Sequence, residues 1–319
     1  MNWALARLIA GQICIHACMA GMRMAAPLLA LRQGYSAAAV GVLLALFALT
    51  QVFLALPAGR YADRHGLKRP VRHAVVAAVL GAGGAFAWPV FPMLCVAALL
   101  TGGATGAATI ALQRHVGRAA HDATQLKQVF SWLAIGPAVS NFLGPFCAGL
   151  LIDHAGAPAG GTGGFRAAFA LMAVLPLATW FWVRTAQELP SVIAAAGGPR
   201  QRAWDLMADV GFRRLLIVNW LLSSCWDVHT FVVPLLGYER GLSASVIGSI
   251  LGAFAIAAAL IRVLMPLVAE RLREATVVTW AMGMTAVLFA VYPLLPTALA
   301  LGRARCCWGS RSARCSPWS

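Results

Sequence analysis

Along most of this chain polar residues are too sparse to give a helix a wet face. Nine runs, at 3–31, 36–58, 71–91, 93–113, 131–152, 165–184, 214–237, 244–268 and 276–297, are apolar almost all round. A helix that is hydrophobic on every side is buried in a large core or in lipid. About 20 helical residues cross a hydrocarbon core, so each run is predicted to be a transmembrane helix. Glycine and proline recur inside the runs, which membrane helices tolerate. The fold class is therefore expected to be all-α, a multi-pass membrane bundle.

The charges lie in the breaks, on alternate sides. After the second run stand Arg60, Arg64, Lys68, Arg69 and Arg72; after the fourth, Arg114, Arg118 and Lys127. The sixth is followed by Arg184, Arg200, Arg202, Arg213 and Arg214, and the eighth by Arg271 and Arg273. The other connections carry only Arg32, Arg166 and Arg240. Basic loops stay in the cytoplasm, which places the even-numbered exits and the N-terminus inside. One long break, 185–213, holds Pro190, Gly197, Gly198 and Pro199 and then an amphipathic piece, AWDLMADVGFRRLL. The expected organisation is a six-helix bundle over 1–184, a linker with an interfacial helix over 185–213, a partial second bundle of three helices over 214–298, and a disordered basic tail over 299–319.

Composition agrees: 61% of residues are hydrophobic, 11% are charged, and the mean hydropathy is +0.77. Soluble domains are nearer a quarter charged. The net charge of +15 would suggest nucleic acid on a soluble chain, but the bases sit between apolar runs, so lipid is the expected partner and nucleic acid is not. Of eight cysteines, Cys14, Cys18, Cys95, Cys147 and Cys225 lie inside runs, where thiols pack as small hydrophobes. Cys306, Cys307 and Cys315 lie in the tail, and without a CxxC pair no metal or redox cofactor is expected.

The chain also repeats itself. At an offset of 207, Gly34, Ser36, Ala37, Gly41, Leu44, Phe47 and Ala48 meet Gly241, Ser243, Ala244, Gly248, Leu251, Phe254 and Ala255. Pro27-Leu28-Leu29 meets Pro234-Leu235-Leu236, and Asp63-Arg64 meets Glu270-Arg271. The seventh and eighth runs read as a second copy of the first two, as transporters built from repeats would show.

Polar groups within spans are costly and mark cavities or pathways. The first run carries Gln12, His16 and Arg23 on one face; the seventh carries Asn219, Ser223, Asp227 and Thr230 on one face; the fourth carries Thr101, Thr105 and Thr109 four residues apart. Asp227 is the acid deepest in any span, and its repeat-equivalent, Ala20, is one turn from Arg23. An ion pair between Arg23 and Asp227 is expected. Asp227 could carry a coupling proton, with Arg23 or His229 setting its proton affinity; the other reading is a static salt bridge between bundles. No nucleophile–base pair, metal cluster or phosphate loop is visible, so no enzyme is expected. Gly102, Gly103 and Gly106 lie inside a span and read as packing sites.

The connection after the second run, GRYADRHGLKR, resembles the signature of the major facilitator superfamily, with Gly59, Asp63, Arg64, Gly66, Lys68 and Arg69 filling its positions. The fifth run, GPAVSNFLGPFCAGLLID, resembles the antiporter signature of that family through Gly136, Gly144, Pro145 and Gly149. The sixth opens with GFRAAF, another frequent feature. The resemblance implies a twelve-helix bundle of which nine helices (6 + 3) are present, with helices 1, 4 and 7 lining a central cavity. It implies a monomeric carrier in a bacterial inner membrane that moves a small molecule by alternating access, coupled to protons, in the drug-efflux manner. An uptake carrier for a small organic solute or anion, and a non-transporting remnant, are the other readings. Ala98 stands where efflux members carry an arginine, and Pro266 stands at the repeat position of Gly59. After Leu301 the sequence turns basic and cysteine-rich, so helices 10 to 12 are expected to be lost to a truncated frame, together with the helix 11 partner that the family gives to the acid at Asp63.

Overall fold

The computed structural model describes residues 3–119, 122–156, 161–189, 208–269 and 283. Among them are eight helices: α1 (Trp3–Arg32), α2 (Ala37–His65), α3 (Lys68–Ala87), α4 (Phe91–Ala119), α5 (Ala123–His154), α6 (Gly163–Val183), α7 (Val210–Glu239) and α8 (Ala244–Ala269). Seven of these are long and apolar enough to cross a membrane, and the described apolar stretch of α8 runs over Ala244–Leu260. The expected ninth helix at 276–297, the tail at 299–319 and most of the linker lie outside the described residues.

Capping moves three boundaries. α3 begins at Lys68 rather than 71, so Lys68 and Arg69 form its first turn. α5 begins at Ala123 rather than 131 because the Asp122 carboxylate accepts from the Gln125 N–H at 2.6 Å, satisfying an otherwise orphaned donor. α7 begins at Val210, where Asp209 accepts from the Phe212 N–H at 2.8 Å. The segment GFRRLL is thus the first turn and a half of a crossing helix, not part of a separate interfacial helix; the remainder of that expected element, 203–207, is outside the described residues.

The repeat survives bond for bond. After α1, the N–H groups of Gln33, Gly34 and Tyr35 donate to the carbonyls of Leu29, Leu31 and Ala30; after α7, those of Arg240, Gly241 and Leu242 donate to Leu236, Tyr238 and Gly237. Gly34 and Gly241 take the left-handed conformation, φ +85° and +66°, that ends a helix cheaply only in glycine. Ser36 then accepts from Ala39 N–H at 3.3 Å, and Ser243 from Val246 N–H at 3.4 Å. Every one of these pairs is related by the same offset, so α1–α2 and α7–α8 are two copies of one hairpin.

Helix α1 is the central post of the described bundle. Its carbonyls at Gly11, Ile13 and Ile15 accept hydroxyls from Thr179 of α6 (2.9 Å), Ser140 of α5 (3.0 Å) and Thr105 of α4 (3.3 Å). Lipid tails supply no hydrophobic drive between helices, so close packing and such bonds carry association. Small residues make the approach possible. A Cβ on Gly144 of α5 would sit 2.5 Å from the Ala17 carbonyl oxygen and 2.7 Å from the Gly21 nitrogen of α1. Gly149 of α5 and Gly248 of α8 press on the backbones of Ala244 and Pro145. Around these contacts Phe47, Phe165, Phe169 and Met172 are fully buried, whereas Val52, Phe53 and Leu56 of α2 face outward, as a lipid-facing flank requires.

Candidate functional site

The sequence places Arg23 and Asp227 on different helices, and the fold brings them together. One guanidinium nitrogen of Arg23, Nη2, donates to Asp227 Oδ1 at 2.6 Å and to Thr230 Oγ1 at 3.3 Å. Arg23 and Thr230 are themselves separated by the repeat offset of 207. Equivalent positions of the two hairpins therefore touch, and the local two-fold relation between α1 and α7 runs through this contact. Arg23 is the buried partner, its side chain 16% exposed, whereas Asp227 is 50% exposed.

Beside the pair is a small cavity lined by Arg23, Asn141, Trp226, His229, Thr230 and Phe254, among others. The His229 ring lies 4.0 Å from that of Phe254, and Trp226 stacks at a tilt on the same ring at 5.1 Å. Four buried side-chain atoms here and lower on α1 have no hydrogen-bond partner: Gln12 Oε1, His16 Nδ1, Arg23 Nε and His229 Nε2. Buried polar atoms are nearly always paired, and unpaired ones point to water, an ion or a ligand. All four belong to the stripes singled out from the sequence.

Other expected cavity residues are placed differently. Thr101 and Thr105 are buried, and their hydroxyls donate to the carbonyls of Ala97, Thr101 and Ile15. They tie α4 to itself and to α1 rather than opening onto free space. Asn219 and Ser223 lie on an exposed face of α7, below Asp227. Gln51 donates to Met19 Sδ at 3.1 Å, a bond across helices.

The arginine-rich loop after α2 is a built structure. Asp63 pairs with Arg114 at the end of α4. Gly66 turns the chain at φ +74°, ψ −150°, and the N–H groups of Leu67 and Lys68 donate to Glu188 at 3.0 and 2.7 Å. Glu188, just past α6, thus neutralises the start of α3, where an acid is favoured. A Cβ on Gly66 would overlap the Glu188 carboxylate. Gly66→Ala is expected to destabilise the protein by about 1–3 kcal/mol through backbone strain alone, read as a lower thermal midpoint in detergent. Glu188→Ala is expected to lose less, because only the cap is removed.

The glycines of the fifth helix serve packing. Gly136 faces Gln12, Gly144 faces α1, and Gly149, with the Pro145 carbonyl, faces α8. Sequence reasoning did not single out Arg114 as the partner of Asp63, nor Glu188 or Asp153 as caps. Each acts on a backbone or side chain remote in sequence, and no local pattern marks it. Among the described residues no cluster of His, Cys, Asp and Glu is placed to hold a metal ion.

The sequence model described as Major Facilitator Superfamily matches residues 8–311. Among solved structures, the chain is similar to a D-xylose-proton symporter at a TM-score of 0.67 and 16% identity, over 93% of this chain and 76% of that one. It is also similar to the POT family transporter PepTSo at a TM-score of 0.50 and 16% identity, over 91% of this chain and 59% of that one. No curated protein matches.

Proposed function

Since the chain belongs to the major facilitator superfamily, whose members are multi-pass membrane transporters, we propose that it is a proton-coupled carrier exporting small amphipathic molecules by alternating access. The observation that carries this reading is the Arg23–Asp227 pair, set inside two spans where repeat-related helices meet. Charged Asp227 holds α7 to α1, and protonated Asp227 cannot form the ion pair. The balance between access states then depends on whether a proton is bound. The glycine-packed contacts of α5 with α1 and α8 support the antiporter assignment, because α5 is the described helix that touches both blocks closely.

The arginine-rich end, with the α2–α3, α4–α5 and α6–α7 connections, is the cytoplasmic one, and the N-terminus is inside a bacterial inner membrane. Residues 1–184 form one bundle, 185–213 connect it, and 214–298 begin the second. The protein acts as a monomer. Gln12, His16, Arg23, Asn219, Ser223, Asp227 and His229 line the transport route. Uptake of a small organic anion is the second reading, favoured by the buried, unpaired Arg23 Nε, which offers an anion a second donor.

Inverted membrane vesicles with an imposed proton gradient test the direction. Accumulation of an amphipathic dye or drug in inverted vesicles, dissipated by a protonophore, is expected of an exporter; transport with only the opposite polarity rules it out. Epitope tags at residues 65 and 120 are expected to be shielded in intact cells, and labelling from outside would overturn the orientation.

A further inference from the structure

Asp153 sits in the last turn of α5, where its charge opposes the helix dipole of its own helix. The local sequence therefore gives no reason for an acid there. Its partners are on another block: Oδ1 accepts from the Ala244 N–H at 3.1 Å and Oδ2 from the Ser245 N–H at 2.7 Å. These are the first two residues of α8, and helix starts leave such donors unpaired. Ser243 already takes the third, on Val246. One serine and one carboxylate together satisfy the start of α8.

The bond is an addition to the repeated hairpin rather than part of it. At the matching start of α2, Ser36 takes the Ala39 N–H, but among the described residues no carboxylate receives Ala37 or Ala38. Directly beneath Asp153, α5 and α8 meet backbone to backbone: a Cβ on Gly149 would lie 3.0 Å from Ser245 Cα, and one on Gly248 would lie 3.3 Å from Phe146 Cα. The tie thus closes the end of the tightest interface between the first six helices and α7–α8, at the end away from the arginine-rich loops and beyond the Arg23–Asp227 pair.

A carrier that alternates access must part this interface when it opens to the outside. Resting on the transport reading above, we propose that Asp153 is the latch of the α5–α8 interface, a positioning residue whose two bonds to the start of α8 bias the carrier toward the externally closed state. Packed interfaces are bistable rather than continuously deformable, and charge-assisted bonds to backbone N–H are among the stronger ones. Loss of the latch therefore shifts a population rather than merely loosening a joint.

The test measures that population directly. Spin labels on genetically encoded ketone side chains at Trp88 and Arg240, both exposed and on different blocks, leave the native cysteines undisturbed. Distance distributions are recorded in lipid nanodiscs. Asp153→Ala is expected to raise the ratio of long to short distances about tenfold. Asp153→Asn, which keeps one acceptor oxygen, is expected to fall between. Ala244→Pro removes one donor from the other side of the contact, at the helix position where proline is best tolerated, and is expected to shift the ratio in the same direction. If Asp153→Ala and Ala244→Pro both leave the distribution at its wild-type shape, even with a lowered thermal midpoint, the latch is overturned. Wild-type protein that moves no substrate, yet shows the shift on Asp153→Ala, overturns the transport reading and leaves the latch standing.

Discussion

Asp227→Asn is expected to reduce proton-driven accumulation to background while the protein remains in the membrane at wild-type level. Asparagine is nearly isosteric, and its amide oxygen can still accept from Arg23 Nη2, which reaches Oδ1 at 2.6 Å. Packing around the pair, and the Thr230 bond to the same nitrogen, are therefore kept. Titration is lost. The decisive comparison is with substrate exchange, in which labelled and unlabelled substrate trade places without net proton movement. Exchange is expected to persist in Asp227→Asn, because alternation itself needs no net proton flux. The static reading predicts otherwise: if the pair only joins two blocks, the preserved hydrogen bond keeps coupling near wild type. Arg23→Ala leaves Asp227 without its cation and is expected to impair accumulation and exchange alike. Accumulation at wild-type level in Asp227→Asn would falsify the proton role.

How much of this was readable beforehand differs between fold and site. The helices announced themselves because lipid demands apolar residues on every face over a fixed length, a rule that needs no knowledge of partners. The duplication was readable for a similar reason: the glycines at 34 and 241 and the serines at 36 and 243 are dictated by local turn geometry, and the structure gives both turns the same bonds. Arg23 and Asp227 could be paired because the offset placed them at similar depth. Thr101 and Thr105 show where the stripe rule weakens. A hydroxyl in a span can satisfy itself on a carbonyl one turn back, so threonine at helical spacing does not distinguish a cavity wall from a buried seam. Helix ends were less readable still. Asp122 and Asp209 act as caps and add turns to α5 and α7 that hydropathy alone assigns to loops. Asp153 and Glu188 cap helices 91 and 120 residues away, and no one-dimensional pattern carries such a relation.

The glycine-rich stretch of α4 provides a sharp measure of what holds the bundle together. Gly102→Ala would place a Cβ inside contact distance of the Phe47 carbonyl oxygen and 2.9 Å from Phe47 Cα, both backbone atoms of α2. A side chain could turn aside, but a helix backbone cannot, so α2 and α4 must separate along their contact. In water a separation of this kind would still be opposed by the hydrophobic effect. In lipid it is not, because tails solvate the newly exposed faces as well as the partner helix did. Overpacking of this sort costs about 1–3 kcal/mol in soluble cores, and the upper part of that range is expected here. Gly83→Ala is the control: it sits in a helix of the same bundle, with nothing within 4 Å of the new methyl group. Alanine favours a helix over glycine by about 1 kcal/mol, so Gly83→Ala is expected to be neutral or stabilising. Thermal midpoints of the two variants in one detergent, followed by the loss of monodisperse protein on heating, are therefore expected to move in opposite directions from wild type. Equal midpoints for Gly102→Ala and wild type would mean that the α2–α4 seam is not packed as tightly as its glycines imply.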